Sequence, residues 1–181
     1  MIAGVFVGGR GSRMNNAAKG LLLIEGRTII DRWRDMLESR SIPLVLVGVR
    51  IEYTTLGLPV VPDLVDNCGP MGGLAALLAA GGNEPVLVLG CDMPFVTTTM
   101  LDKLIAHSSK GAAVAPLVLG RWEPFFSRVP QTARGAVEHQ LAGRQLSLQR
   151  LFSSLNAEPL GLDSAEEACL RDWDRPEDMC L

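Results

Sequence analysis

The stretch "FVGGRGSRMNNAAKGLLL", residues 6–23, combines a glycine pair with two cations near the N-terminus. Gly8 and Gly9 end an apolar run, and Arg13 and Lys19 follow before the chain turns apolar again. Glycines after a buried strand let backbone N–H groups approach a ligand closely, and such groups together with an arginine bind anions. The stretch fits neither the phosphate-binding pattern GxxxxGK(S/T) nor the dinucleotide-binding pattern GxGxxG. A phosphate site and an ordinary glycine turn with solvated cations therefore both remain open.

Acidic side chains follow two other apolar runs and could hold a metal ion or a nucleoside. Asp92 in "LGCDMPF" comes directly after an apolar run, where a rigid carboxylate suits Mg²⁺, which takes one or two carboxylates together with phosphate oxygens. Asp63 and Asp66 precede a glycine loop in "PDLVDNCGPMGG", where Gly72 and Gly73 would let a base or ribose approach the backbone. Each feature also has a purely structural interpretation, as a turn former, a helix cap or a tight turn into a helix.

Other catalytic chemistries find little support in the sequence. His107 and His139 have no nucleophile or metal ligand at a suitable spacing, and no GxSxG motif is present. The four cysteines form no CxxC pair and have no histidine at zinc-ligand spacing, which argues against a zinc site and indicates reduced thiols.

The composition is that of one folded domain. The 181 residues are 48% apolar and 20% charged with a formal net charge of −3, so bulk charge gives no argument for binding nucleic acid or an anionic membrane. No apolar run reaches the roughly 18 residues of a membrane span, and no charged leader precedes the first apolar run. We therefore expect a single domain over 1–181, located in the cytoplasm.

Apolar runs alternate with amphipathic segments along the chain, and this alternation positions the candidate residues. Five runs predict buried strands, in "IAGVFV", "LVLVGV", "LPVVPD", "EPVLVLG" and "AAVAPLVL", and helices are predicted between most of them, the first with Thr28 as its N-cap. The pattern indicates an α/β fold of three layers, with a Rossmann-like, doubly wound and mostly parallel sheet. Such sheets bind ligands beyond the carboxyl ends of their strands, where Gly8, Gly9, Asp63 and Asp92 fall.

The pattern becomes less regular from about residue 121. The segment "RWEPFFSRV" is consistent with an antiparallel strand or an extended loop. The segment "TARGAVEHQLAGRQLSLQRLFSSL" predicts two short helices broken at Gly143.

Taken together, these motifs resemble the nucleotidyltransferases that activate small metabolites, and among them the molybdenum cofactor guanylyltransferases most closely. The family pattern LAGGxSxRM…DKG matches "FVGGRGSRMNNAAKG", and its aspartate before GPLxG matches Asp63 before "GPMGG". The patterns CDxP, W/HP-x-F and N-x-N-x-PE(D/E) correspond to "CDMPF", "RWEPFFSRV" and "DWDRPEDM". Each block is modest, but the ordered set of five spans nearly the whole chain. The glycine pair and "GPMGG" favour guanine, since LAAG and GxSxS mark the related cytidylyltransferases.

The chain departs from the family pattern at several positions. Phe6 and Val7 replace a leucine and an alanine, and Ala18 replaces the aspartate before the lysine. Two asparagines that the family associates with nucleotide contact, and the two late asparagines, are also replaced. The residues at these four positions are Val47, Val49, Asp172 and Asp174.

The resemblance implies a nucleotide-diphospho-sugar transferase-like fold and transfer of GMP from GTP to molybdopterin or molybdenum-molybdopterin, with release of pyrophosphate. Its partners would be these substrates and other cofactor-synthesis proteins, with no nucleic acid or membrane. The alternatives are a related enzyme that uses CTP or another acceptor phosphate, and a non-catalytic GTP-binding adaptor.

The resemblance also implies roles for individual residues. Arg13, Lys19 and Asp92 would be catalytic, and Asp92 and Asp174 would bind Mg²⁺. The residues expected to contact the nucleotide are Phe6, Val7, Gly8, Gly9, Lys19, Val47, Asp63, Gly72, Gly73 and Asp92.

Overall fold

A computed structural model describes residues 1–8, 18–65, 67–109 and 111–171. Within these ranges, the strands are β1 (Ile2–Phe6), β2 (Leu23–Ile24), β3 (Arg27–Thr28), β4 (Leu44–Val47), β5 (Val60–Val61), β6 (Val86–Gly90), β7 (Val114–Ala115), β8 (Leu117–Val118), β9 (Arg121–Trp122), β10 (Phe126–Val129) and β11 (Glu158–Pro159). The α-helices are α1 (Ile29–Glu38), α2 (Pro70–Ala80), α3 (Thr98–Ala106), α4 (Arg134–Ala142), α5 (Leu148–Ser154) and α6 (Ser164–Ala168). Short 3₁₀ helices lie at Lys19–Leu21, Ile51–Leu56 and Gln131–Ala133.

The main sheet of the described residues has seven strands in the order β11-β7-β10-β6-β1-β4-β5. β1 lies between β4 and β6 and is parallel to both, and β5 continues the parallel part beyond β4. β10 is antiparallel and lies between β6 and β7. The predicted three-layer α/β fold with a mostly parallel sheet is therefore confirmed.

Helices cover both faces of this sheet, because successive side chains along a strand point to opposite faces. On one face, α1 and α3 pack against Ala3 and Val5, and the buried Trp33 belongs to this core. On the other face, α2, α4 and α5 pack around Phe6. Helices on both faces explain why the central strands are nearly continuous apolar runs.

Local signals set where several helices begin. The hydroxyl of Thr28 accepts a hydrogen bond from the backbone N–H of Asp31 at 3.0 Å, which confirms the predicted N-cap of α1. α2 begins with Pro70, a residue suited to a first helical turn because its missing N–H would have no partner there. No helix within the described ranges is long and apolar enough to cross a membrane.

The run "AAVAPLVL" forms two short strands instead of the single strand that its apolar character predicts. β7 joins the main sheet, whereas β8 pairs with β9 in a separate two-stranded sheet. Pro116 lies between β7 and β8, and a proline has no N–H with which to continue a strand ladder. "RWEPFFSRV" contains β9 and then β10, and both strands pair antiparallel with their neighbours, so the antiparallel-strand interpretation is confirmed for these residues.

Candidate active site

The carboxyl ends of four parallel strands meet at one edge of the main sheet, and the described site residues predicted from the sequence lie there. Val7 and Gly8 follow β1, Val47 ends β4, Asp63 follows β5 and Asp92 follows β6. This edge is where an open α/β sheet binds its ligand. The strand order therefore brings residues that are far apart in sequence into one row.

Lys19 and Asp92 form an ion pair at this edge, across 73 positions of sequence. The Lys19 ammonium donates a hydrogen bond to Asp92 Oδ2 at 2.9 Å, and the two side chains are 14% and 23% exposed. Both groups are thus held together while part of each side chain stays exposed in the groove at this edge, which Lys19 and Asp92 line. A positive and a negative charge in this position can contact a phosphate and a metal ion side by side.

The end of β6 is held from two sides, which orients Asp92. Trp33 in α1 donates its indole N–H to the carbonyl of Gly90 at 2.9 Å. The N–H of Gly90 in turn donates to the carbonyl of Phe125 at 2.7 Å. A Cβ atom at Gly90 would lie 3.0 Å from Asp92 Oδ1, so glycine leaves room for the carboxylate.

The ends of β1 and β4 approach each other more closely than side chains would allow. The N–H groups of Val7 and Gly8 both donate to the carbonyl of Val47, at 3.0 and 3.3 Å. Gly48 has a φ of +93°, and a Cβ atom there would lie 2.9 Å from Gly8 Cα. The N–H groups of Val7 and Gly8 therefore join the two strand ends and are already paired with the carbonyl of Val47.

Asp63 lies against the first turn of α2. A Cβ atom at Gly73 would lie 3.2 Å from Asp63 Oδ1 and 2.7 Å from Val47 Cγ1, and a Cβ atom at Gly72 would lie 2.9 Å from the carbonyl oxygen of Val65. The two glycines thus allow the Asp63 loop to approach the helix start, where a carboxylate is stabilised by the helix dipole. Asp63 is exposed and accessible to a ligand.

A pocket of about 200 Å³ at this edge is lined partly by residues that the sequence did not predict, three of which have titratable side chains. Arg50, Tyr53 and Cys91 line it together with Lys19 and Asp92. A signal for Arg50 was available, since a cation three residues beyond the end of β4 falls at the ligand-binding edge. No local pattern distinguishes Tyr53 or Cys91 from ordinary core residues.

Arg50 and Tyr53 are both fixed in place. Arg50 donates to Glu52 Oε1 at 2.7 Å, and this hydrogen bond raises the pKa of the Arg50 guanidinium. The Tyr53 hydroxyl accepts from the N–H of Gly20 at 3.1 Å, next to Lys19. Burial raises the pKa of the Tyr53 phenol well above its usual range, so it remains protonated.

Cys91 is not suited to nucleophilic chemistry although it lies beside Asp92. Burial, followed by the nearby charge of Asp92, raises the pKa of the Cys91 thiol to about 12. The thiolate is the reactive form of cysteine, so this side chain is unreactive at neutral pH. The thiol acts as part of the pocket wall.

Asp92 is the one carboxylate among the described residues that line this pocket. They contain no group of three or more His, Cys, Asp or Glu side chains that could hold a metal ion by themselves. Asp92 could serve as a ligand for a divalent metal ion that binds through one or two carboxylates and substrate phosphates. The predicted residues Gly9, Arg13 and Asp174, together with Asp66 and Asp172, lie outside the described residues.

Comparison with known proteins groups this chain with enzymes of one family. Residues 3–158 match the family described as "MobA-like NTP transferase domain". The molybdenum cofactor guanylyltransferase of Ectopseudomonas mendocina (strain ymp) is 34% identical over 154 residues, which cover 82% of this chain and 75% of that protein. That of Pseudomonas putida (strain GB-1) is 29% identical over 178 residues, which cover 96% of this chain and 92% of that protein.

Solved structures share the same fold. Molybdopterin-guanine dinucleotide biosynthesis protein A from Archaeoglobus fulgidus superposes with a TM-score of 0.80 at 19% identity, covering 99% of this chain and 95% of that one. The 2-C-methyl-D-erythritol 4-phosphate cytidylyltransferase from Thermus thermophilus gives a TM-score of 0.69 at 15% identity, with the same coverage of 99% and 95%. These similarities confirm the nucleotide-diphospho-sugar transferase-like fold.

Proposed function

The chain belongs to the MobA-like NTP transferase family, and we propose that it transfers GMP from GTP to molybdopterin or molybdenum-molybdopterin. It is a nucleotidyltransferase, like the molybdenum cofactor guanylyltransferases to which it is similar. The observation that carries the proposal is the Lys19–Asp92 pair at the carboxyl edge of the sheet. This pair supplies a cation for phosphate oxygens and an anion for a metal ion at the position where this architecture binds nucleotides.

The reaction requires positioning and charge stabilisation more than proton transfer. An oxygen of the terminal phosphate of molybdopterin attacks the α-phosphorus of GTP, and the bond from this phosphorus to the bridging α–β oxygen breaks. Its electron pair leaves with pyrophosphate. A phosphate monoester is ionised at neutral pH, so no strong general base is needed. The protein contributes mainly by holding donors and charges where negative charge develops.

The charged residues have distinct proposed roles. Lys19 contacts the α-phosphate while it retains Asp92 as a partner, since an ammonium group has three N–H donors. Arg13 holds the β- and γ-phosphates, and Arg50 adds a further cation on the β4 side of the groove. Nucleotidyl transfer from GTP is consistent with a divalent metal, for which we propose Mg²⁺ held by Asp92 and Asp174. The metal, when bound, offsets negative charge on the phosphate oxygens.

The nucleoside is proposed to lie on the side of β1, β4 and β5. Asp63 would accept hydrogen bonds from the ribose or base, and Gly72 and Gly73 would support this contact by leaving room for the Asp63 loop against α2. The remaining proposed contacts on this side are Phe6, Val7, Gly8, Gly9 and Val47. The proposal includes the cytoplasmic location and the contacts with other cofactor-synthesis proteins that the sequence led us to expect.

A pyrophosphate-release assay with the full chain tests this function. We expect release with GTP and Mg²⁺ only when molybdopterin is present, and much weaker release with CTP. Faster release with CTP would assign the chain to a cytidylyltransferase activity. Binding of GTP without pyrophosphate release in the presence of bare and of metal-loaded molybdopterin would contradict the proposal and favour a non-catalytic adaptor.

A further inference from the structure

A second pocket, of about 580 Å³, adjoins the candidate active site. Pro70 and Phe125 line both pockets and so form the wall between them. The remaining walls come from the β8–β9 hairpin and the residues at the start of α5. We call this second cavity the hairpin pocket. A molecule bound in it could extend past Phe125 into the groove that holds Lys19 and Asp92.

The strand order places the hairpin pocket on the side opposite to the proposed nucleoside contacts. Of those contacts, Gly8, Val47 and Asp63 lie at the ends of β1, β4 and β5, and Asp92 follows β6. Glu123 and Phe125 lie in the short segment between β9 and β10. β10 is the next strand beyond β6, and because it runs antiparallel to β6, its start lies at the same edge of the sheet. In the order of the strand ends, Asp92 therefore lies between Val47 and Asp63 on one side and the hairpin pocket on the other.

Glu123 is a half-buried carboxylate on the wall of the hairpin pocket. Its backbone N–H donates to the carbonyl of Pro116 at 2.9 Å, which fixes the residue at the end of the hairpin. Among the described residues its carboxylate has no hydrogen bond or ion pair, and Arg121 acts on it only by longer-range attraction. Burial raises its pKa. Such a group gains from a ligand that brings hydrogen-bond donors to it.

Trp122, the residue before Glu123, also lines the hairpin pocket. Gln149 holds the backbone of Trp122 on both sides, accepting from its N–H at 3.0 Å and donating to its carbonyl at 2.6 Å. The indole also packs against Phe152, with ring centroids 6.1 Å apart. A flat heterocycle can stack on a ring that is held in this way at low entropic cost.

We propose that the hairpin pocket binds the pterin of the acceptor, with Glu123 accepting hydrogen bonds from its 2-amino-4-oxopyrimidine edge and Trp122 stacking on its rings. The proposal rests on the proposed function, which supplies a pterin as acceptor. The edge carries an amino group next to a ring N–H, and this pair of donors matches the two oxygens of a carboxylate. Guanine has the same edge, but the proposed nucleoside contacts Val47 and Asp63 follow strands that β1 and β6 separate from the hairpin pocket.

Titrations of the full-length protein with 6-hydroxymethylpterin phosphate and, separately, with GTP and Mg²⁺ distinguish whether Glu123 binds the pterin or the guanine, which carry the same edge. Glu123→Gln should weaken pterin binding by about tenfold to a hundredfold, the scale of a lost charge-assisted hydrogen bond, and leave GTP affinity unchanged. Glu38→Gln, at an exposed position in α1, is the matched control and should change neither affinity. A loss of GTP affinity in place of pterin affinity, or no loss of either, would overturn the assignment.

Steady-state pyrophosphate release separates this inference from the proposed function. We expect Glu123→Gln to raise the KM for molybdopterin in proportion to the weaker pterin binding, with the KM for GTP unchanged. If the wild type releases no pyrophosphate but its pterin affinity depends on Glu123, the proposed function fails and the pterin pocket stands. If the wild type turns over and Glu123→Gln keeps the same KM for molybdopterin, the pocket assignment fails alone.

Discussion

At the scale of single residues, the charges of the groove are arranged in pairs. Lys19 is held by Asp92 and Arg50 by Glu52, so neither cation has to be ordered from solvent when an anionic substrate binds. Side-chain ordering costs free energy, and a preorganised donor avoids this cost during the reaction. We therefore expect the contribution of Lys19 to appear mainly in turnover.

Lys19→Ala should lower kcat/KM for GMP transfer by about 100- to 1000-fold, the effect of removing a preorganised donor that stabilises developing charge. Pyrophosphate release measures this change. Lys103→Ala is the matched control, because Lys103 also pairs with a carboxylate, Glu166 at 2.6 Å, away from the groove. A Lys19→Ala protein with the activity of the Lys103→Ala control would remove Lys19 from the mechanism.

At the scale of elements, α2 lies close against the ends of β1 and β4 because its first turn contains glycines. A Cβ atom at Gly73 would lie 2.7 Å from Val47 Cγ1 and 2.9 Å from Phe6 Cε1. In β1, a Cβ atom at Gly4 would lie 2.6 Å from Leu77 Cδ2 of the same helix. The position of α2, and with it the position of the Asp63 loop, therefore depends on the absence of side chains at these points.

Gly73→Ala should destabilise the protein by about 1–3 kcal/mol, because the added methyl group overpacks the contact between α2 and the sheet. It should also weaken GTP binding, since α2 must move away from Asp63. Gly135→Ala in α4 is the control: among the described residues, nothing apart from its chain neighbours and its own helix backbone lies within 4 Å of its Cβ position, so the higher helix propensity of alanine should stabilise the protein. Urea unfolding and GTP titration measure both effects. Equal stabilisation by the two substitutions would contradict the close packing of α2.

At the scale of the whole molecule, folding keeps a thiol and a phenol in the wall of the groove protonated. Cys91 and Tyr53 lie in its wall, and burial raises the pKa of both, to about 12 for the Cys91 thiol. Both groups ionise at lower pH in the unfolded chain than in the folded protein. Stability that is fully present below the unfolded-state pKa values must therefore decrease as the pH rises above them.

The free energy of unfolding should consequently fall between pH 8 and pH 10, by up to about 1.4 kcal/mol per pH unit for the Cys91 thiol once it ionises in the unfolded chain. Urea unfolding under reducing conditions measures this slope. Cys91→Ala should make the dependence on pH shallower, whereas Cys169→Ala, a half-buried cysteine after α6, should not. The same slope in Cys91→Ala and in the wild type would show that the thiol ionises alike in both states.

Which parts of the fold were predictable depends on how local their determinants are. Apolar runs and glycine stops predicted β1, β4 and β6, and the Thr28 cap predicted the start of α1. The hairpin of β2 and β3 was not predicted. Its loop residues Glu25 and Gly26 have positive φ, at 52° and 79°, which a two-residue hairpin turn requires. The division of "AAVAPLVL" was also missed, because pairing with β9 competes with the apolar pattern of the run.

The candidate site divides in the same way. The sequence by itself placed Gly8, Asp63 and Asp92 beyond the ends of buried strands, because strand ends and turns are short-range features. Only the tertiary structure decided that Lys19 pairs with Asp92, that Arg50 joins them, and that Glu123 lines a second pocket beside them. Those contacts depend on the order of the strands and on the insertion of β10 beside β6. Strand order is set by long-range packing of the whole sheet, which no short stretch of sequence contains.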